Sequence, residues 1–220
     1  KNEKFFLWIH YMDAHVPHIP PIGGWQRKIK YALKRIKAFN KELTENQSLI
    51  GILKHFYKEQ LVFIDHNIGR LFTFLENEGI LDRTCVIITA DHGEEFGEHG
   101  GYGHFQPKLY NELLHVPLII HGPDISTEEI KNAVSLVDLA PTIFDILNIK
   151  REAFMIGRSL KPLIENLESK DRPIISEAAD LVSYQDSRYK IIVNTETQQI
   201  EFYDLEEDPN EQRPITSGYL

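Results

Sequence analysis

Val86-Ile87-Ile88-Thr89-Ala90-Asp91-His92-Gly93-Glu94-Glu95-Phe96-Gly97-Glu98-His99-Gly100 is the most informative run of this chain. Its first four residues are apolar or β-branched, the signature of a buried strand. The strand runs into a loop that opens with a carboxylate and an imidazole side by side, followed by a glycine that lets the backbone turn sharply. Glu94, Glu95, Glu98, His99 and His104 crowd the residues that follow. Ligands of α/β proteins bind beyond the C-terminal ends of strands, so the chemistry of this chain is expected at this loop.

Upstream, residues 5–10 (Phe-Phe-Leu-Trp-Ile-His) form a continuous apolar run, too short for a helix, and predict a buried parallel strand. Residues 11–24 read as a Pro- and Gly-rich loop. Residues 25–41 carry Arg27, Lys28, Lys30, Lys34, Arg35, Lys37 and Lys41, read as a solvated basic helix face. Thr44-Glu45-Asn46-Gln47 resembles a capping box. Leu49, Ile52, Leu53, Phe56, Leu61, Ile64, Ile68, Leu71 and Leu75 follow near helical spacing, and Gly79 supplies a stop. Strand, helix, strand predicts a right-handed parallel crossover into residues 85–89.

Downstream, Pro107 opens a short helix over 108–114, and residues 116–121 read as another buried strand. Asp138, with Pro141 three residues on, is expected to cap a helix that runs to Leu147. From Arg172 the texture changes. Residues 173–178, 189–193 and 199–205 predict short antiparallel strands between polar turns. The expected architecture is α/β: a mostly parallel sheet flanked by helices over residues 1–170, and a small C-terminal antiparallel β unit over residues 171–220. The seam falls at residues 170–173.

Composition sets broad limits. The chain has 220 residues, 42% of them hydrophobic and 26% charged, which is ordinary for a globular protein. The net charge of −9 argues against a nucleic-acid partner, which needs a basic face. It leaves an anionic substrate open, because a local cluster of His, Lys and metal reverses the field inside a cleft. The lone Cys85 forms no internal disulfide and reads as a small buried hydrophobe. No apolar run approaches the ~18 residues of a membrane span. A cytoplasmic setting is the expectation, with export left open because the chain enters a predicted strand within a few residues of Lys1.

The run from Thr89 to Gly100 resembles the metal-binding segment of the sulfatase family, within the alkaline phosphatase superfamily. The likeness continues in the same order along the chain. Phe6-Leu7-Trp8-Ile9-His10-Tyr11-Met12-Asp13-Ala14-His15-Val16-Pro17-His18 is similar to the family's substrate loop, and Leu109-Tyr110-Asn111-Glu112-Leu113-Leu114-His115-Val116-Pro117-Leu118-Ile119-Ile120 to its next helix and strand. Val137-Asp138-Leu139-Ala140-Pro141-Thr142, Gly157-Arg158-Ser159-Leu160 and Tyr203-Asp204-Leu205-Glu206-Glu207-Asp208-Pro209-Asn210-Glu211 complete it. The resemblance implies a partial alkaline phosphatase-like fold and metal-dependent hydrolysis of a sulfate ester.

Asp91 and His92 are the first candidates for metal ligands, since both reach one ion from a turning loop. A carboxylate suits Ca²⁺ or Mg²⁺, and an imidazole points to Mn²⁺ or Zn²⁺. The family often has Asp-Asn here; Asp-His is similar to its phosphonate- and phosphodiester-cleaving relatives. By resemblance, Ca²⁺ comes first among the metals. His15 then contacts the sulfate or phosphate oxygens, and His104 protonates the leaving-group oxygen or binds the anion. Lys108 is the alternative for that last role, and His18 and His99 are further substrate contacts. Glu94, Glu95 and Glu98 read as supporting or solvated groups. Asp65 and His66 read as a local polar patch, and Asp208-Pro209-Asn210 as a turn.

Sulfatases cleave with a formylglycine made from Cys or Ser in Cys/Ser-x-Pro/Ala-x-Arg. Nothing in the chain fits: Cys85 is followed by Val86, Ile87 and Ile88, and no serine heads the pattern. The chain therefore resembles the C-terminal portion of a sulfatase, with half the active site and no turnover alone. Its partners are then a small-molecule sulfate or phosphate ester and the N-terminal half of the parent. Two alternatives stand beside this: a phosphodiesterase, phosphonate monoester hydrolase or phosphoryl transferase of the same superfamily, and a non-catalytic metal- or anion-binding domain.

Overall fold

The computed structural model describes residues 3–16, 18, 47–167 and 172–219. They divide into two units: Lys1–Asp82 with Glu95–Gly103, and Arg83–Glu94 with His104–Leu220. The predicted basic helix over 25–41 and the capping box at Thr44 lie outside the described residues, as does most of the Pro- and Gly-rich loop.

In the first unit, helix α1 (Gln47–Asn77) runs for 31 residues. It ends as the sequence predicts, with Gly79 in the left-handed region at φ +64. Its buried side carries Leu49, Ile50, Leu53 and Tyr57, which pack on Val16, Phe96 and Tyr102. Ile52 and Leu61, predicted to share that stripe, are exposed instead. Gln60, a polar residue, is buried and meets His18. Strands β2 (Glu95–Phe96) and β3 (Tyr102–Gly103) pair antiparallel beneath this cluster. Asp65 and His66 are exposed, as expected of a polar patch.

Residues 5–10 do not form the predicted strand. They carry no strand assignment, and Trp8 is 76% exposed. An apolar run becomes a strand only when a neighbour satisfies its backbone groups, and no described strand pairs with it. The parallel crossover expected from this segment is accordingly not formed among the described residues.

In the second unit, β1 (Val86–Thr89) pairs antiparallel with β4 (Leu118–His121), Val86 opposite His121 and Thr89 opposite Leu118. Cys85, just before β1, is half-buried, and burial pushes its thiol pKa up. Between the two strands lies a single helical turn, α2 (Asn111–Leu114). Downstream, a short 3₁₀ turn at Leu136–Asp138 leads into α3 (Leu139–Ile146), and α4 (Lys161–Ile164) follows.

Asp138 stands at the N-cap position of α3, as the sequence predicts, but its backbone is already helical and its side chain makes no capping hydrogen bond to that helix; it closes a capping box with Ser135 on the preceding 3₁₀ turn. The buried Asp138 carboxylate instead accepts from the amides of Ser135 (3.3 Å) and Arg158 (2.7 Å) and from Arg172 Nη2 (3.1 Å). Thr142 Oγ1 donates to the Asp138 carbonyl and accepts from the Leu160 amide. A Cβ on Gly157 would lie 2.0 Å from the Val137 carbonyl oxygen, so only glycine lets these segments meet. The two motifs at 137–142 and 157–160 are thus one docking device.

The C-terminal sheet is an antiparallel meander in the order β5 (Ile174–Ala178), β6 (Leu181–Gln185), β7 (Tyr189–Asn194), β8 (Gln199–Asp204) and β9 (Thr216–Tyr219). Ile192 and Tyr203 bury one face against Leu109, with Tyr110 and Leu114 beside them. Arg188 clamps Asp204 at 2.7 Å, and the pair holds the aspartate pKa below the ordinary carboxylate range.

Candidate active site

β1 ends where Thr89 Oγ1 donates to the Pro117 carbonyl (2.8 Å), which ties the strand end to the start of β4. The chain then leaves the ladder and carries Asp91, His92, Gly93 and Glu94. Gly93 donates its amide to the Leu113 carbonyl at 2.8 Å. A Cβ there would stand 2.0 Å from the Glu112 carbonyl oxygen. Gly93 is not in the left-handed region. The glycine is therefore required by the close approach of two backbones, and not by a sharp turn as the sequence suggested.

His92 and Glu94 flank Gly93 on this loop. His104 comes to meet them. One donor atom from each of His92, Glu94 and His104 lies within 4.8 Å of the others. The two imidazole centroids are 4.2 Å apart. Glu94 Oε1 lies 2.6 Å from His104 Nδ1, with the glutamate side chain only 5% exposed. His92 Nδ1 donates to the Gly93 carbonyl at 2.8 Å, so its Nε2 lone pair points away from the backbone.

These donors fit a divalent cation. Metal-bound histidines commonly hold their second nitrogen on a carbonyl or carboxylate, as His92 does on the Gly93 carbonyl. Ligand atoms at about 2.0 to 2.4 Å from one ion lie up to ~4.5 Å from each other, close to the span of this group. The set is also the one such group among the described residues.

Asp91 stands outside it. Its side chain is 75% exposed, with Oδ1 accepting from the His92 amide and Oδ2 3.9 Å from His92 Nε2. That distance leaves Asp91 and His92 within reach of one ion. Glu94 is the residue that sequence reasoning passed over, taking it as a supporting or solvated group. Its spacing from His92 was the available signal.

The remaining candidates are not members of this group. Exposed His15 belongs to the first unit, and its Nδ1 donates to the Val16 carbonyl (2.6 Å). His18, expected to touch substrate, is fully buried. Its ring packs against Tyr57, Phe96 and Tyr102 at 5.0, 5.3 and 5.9 Å, and its Nδ1 meets Gln60 Oε1 at 3.1 Å. His18 thus completes an aromatic core. Glu95 accepts from the amides of His99 and Gly101 and so shapes the loop 97–101. Burial pushes the Glu98 pKa up, but the Phe96 amide and Lys54 outweigh it, and the carboxyl lies below its ordinary value. Lys108 is half-buried, immediately before the buried Leu109.

Comparison with known proteins shows what the chain is similar to. A family model for sulfatases matches residues 1–149, and one for the C-terminal region of N-sulphoglucosamine sulphohydrolase matches residues 97–218. The chain is 30% identical to arylsulfatase K of Xenopus laevis over 164 residues, covering 74% of this chain and 30% of that one. It is 38% identical over 112 residues to an N-acetylglucosamine-6-O-sulfatase of Bacteroides thetaiotaomicron, covering 50% of this chain and 20% of the relative. A solved protein in complex with its substrate D-glucosamine-2-N,6-O-disulfate superposes with TM-score 0.63 at 28% identity, over 86% of this chain and 42% of that one. A phosphonate monoester hydrolase from Silicibacter pomeroyi shares the fold, with TM-score 0.65 at 24% identity over 73% of this chain and 36% of that one. The fold is that of the alkaline phosphatase superfamily. The chain spans well under half the length of these relatives.

Proposed function

The chain belongs to the sulfatase family, and from that premise we propose that it supplies part of the active site of a sulfuric ester hydrolase. The observation that carries the reading is the His92–Glu94–His104 group, set on the Asp-His-Gly loop at the end of β1.

In this reading His92 and Asp91 would hold a divalent cation, with Glu94 and His104 beside them. The cation would balance charge on the ester oxygens. Asp91 would offer Ca²⁺ one of its six to eight oxygen ligands, whereas the His92 imidazole suits Mn²⁺ or Zn²⁺. His104 presents Nε2 to the departing alkoxide and delivers a proton to it. Glu94, bonded at Nδ1, fixes the ring and supports the imidazolium. His15 and Lys108 bind the anionic oxygens through charge-assisted hydrogen bonds. The nucleophile, a formylglycine from Cys or Ser, is contributed by sequence outside residues 1–220, since no residue here fits its motif. A sulfated sugar is the favoured substrate class: the relatives include an N-acetylglucosamine-6-O-sulfatase and a protein solved with a sulfated glucosamine.

The test is hydrolysis of an aryl sulfate, an aryl phosphate and a phosphonate ester, by this chain and by a version extended upstream through the nucleophile motif. The expected result is sulfate turnover by the extended protein only, abolished by chelation and reduced in His104→Ala. Robust turnover by residues 1–220 alone would refute the divided site. Preference for the phosphonate ester would move the activity to that branch of the superfamily. Inactivity of the matured, extended protein on all three esters would make the chain a non-catalytic binding domain.

A further inference from the structure

A fully buried ion pair lies away from the candidate site. Lys190 on β7 meets Glu211 at 2.5 Å, and neither side chain is exposed. Burying two charges is costly, and well-packed apolar residues often serve stability better. What such a pair adds is direction, and here the direction is specific. Lys190 Nζ donates to Asn111 Oδ1 (3.1 Å), and Glu211 Oε2 accepts from the Asn111 amide (2.6 Å). Both arms converge on the first residue of α2.

α2 cannot place itself. It is one turn long, and no side chain caps it at Tyr110. A helix this short has no stability of its own, so tertiary contacts set its position. Besides the ion pair, these include Tyr110 Oη, which donates to Glu201 of β8 at 2.8 Å. The carbonyl oxygens of Glu112 and Leu113 at its far end form the surface against which Gly93 is pressed. Gly93 lies between His92 and Glu94. A sub-ångström movement of α2 therefore reaches the group through backbone atoms alone, with no soft side chain in between.

We propose that Lys190 and Glu211 are positioning residues for the His92–Glu94–His104 group, acting from the C-terminal sheet through α2 and Gly93. The proposal rests on the reading of that group as a cation site only for its metal readout; the placement of the two histidines is a separate one.

The test compares the 220-residue chain with Lys190→Met/Glu211→Leu, which removes both directional arms while keeping volume, and with Lys190→Met/Glu211→Gln, which keeps an acceptor for the Asn111 amide. Mn²⁺ is titrated calorimetrically, and the ring nitrogen resonances of His92 and His104 are recorded without metal. Expected are a double Met/Leu variant that unfolds at or above the wild-type temperature, an approximately ten-fold loss of Mn²⁺ affinity, as for removal of outer-shell partners, and displaced His92 and His104 signals. The Met/Gln variant should fall between. A folded Met/Leu variant with unchanged affinity and unchanged histidine signals would overturn the proposal. If the wild-type chain takes up no Mn²⁺ while the histidine signals still move in the variants, the cation reading fails and the positioning role stands. Should the Met/Leu variant not fold, Asn111→Ala, which leaves the ion pair intact and removes only the Lys190 acceptor, carries the same two readouts with a smaller expected displacement; unchanged signals there overturn the proposal.

Discussion

Gly93→Ala isolates the contact on which the loop depends. The new Cβ would sit 2.0 Å from the Glu112 carbonyl oxygen, 3.0 Å from its carbonyl carbon and 3.3 Å from Leu113 Cα. All three are backbone atoms, so no rotamer change relieves them. Restoring ordinary contact near 3.4 Å requires the strands of chain to part by about 1.4 Å. That parting stretches the 2.8 Å hydrogen bond from the Gly93 amide to Leu113 beyond useful length. Overpacking costs about 1–3 kcal/mol and the lost hydrogen bond about 0.5–1.5 kcal/mol. The opposing gain, a less disordered unfolded chain, is only about 0.4–1 kcal/mol, so the clash wins by roughly 2–3 kcal/mol. With a urea m-value of about 2 kcal/mol/M, the midpoint should fall by about 1–1.5 M. The control is Gly69→Ala, mid-way along α1 with open space around its Cβ. It should gain about 0.5–1 kcal/mol. Equal midpoints for Gly93→Ala and the wild type, alongside a stabilised Gly69→Ala, would refute the close-approach argument.

Other outcomes follow from the buried polar contacts. Asp138→Ala strands the Arg158 amide and Arg172 together and should cost about 3 kcal/mol in a denaturant titration; a cost under about 0.5 kcal/mol would remove the aspartate as the link between the two motifs. Asp138→Asn keeps an acceptor and should cost visibly less. The Asp204 pKa is lowered by Arg188, so its contribution is fully present above the ordinary carboxylate value of about 3.9 and is lost as pH falls through the lowered one. The melting-temperature gap between wild type and Asp204→Asn should therefore be constant from neutral pH down to about 4 and close below it; a gap that persists at the acid end would rule this pairing out.

Much of the fold could be read because single segments carried their own signals. α1 announced itself by periodicity and by the glycine at its end, and β1 and β4 by apolar runs. β6 and β9 could not be read. β6 buries Ser183 in its centre, and β9 contains Gly218. Each is recruited by its neighbour's ladder and not by its own propensity. Residues 5–10 fail in the opposite sense, with strong propensity and no described partner. Lys190 was invisible because a lysine in a strand is ordinarily taken as exposed, and its partner Glu211 arrives from a distant turn. The loop at 91–94 was legible as a site from its residue types. Which of its carboxylates turns inward was not, because that depends on α2 pressing on Gly93 from the far side.

The histidines show how far residue type alone carries. Five were singled out from the sequence for contact with ligand, and four of them share one feature, a partner at the Nδ1 atom. For His15 it is the Val16 carbonyl, for His92 the Gly93 carbonyl, for His104 the Glu94 carboxylate and for His18 the Gln60 amide oxygen. An acceptor at Nδ1 assigns the proton there and leaves Nε2 as the working atom. What separates the four is where Nε2 is left. In His92 it belongs to a group of donors within 4.8 Å of one another, together with a carboxylate and a second imidazole. In His18 the ring is enclosed by Tyr57, Phe96 and Tyr102. The same local device, a histidine locked by one hydrogen bond, therefore stands in a cluster of candidate donors at the end of β1 and in an aromatic core beside α1. The surroundings of the ring decide between them, and those surroundings are set by tertiary packing.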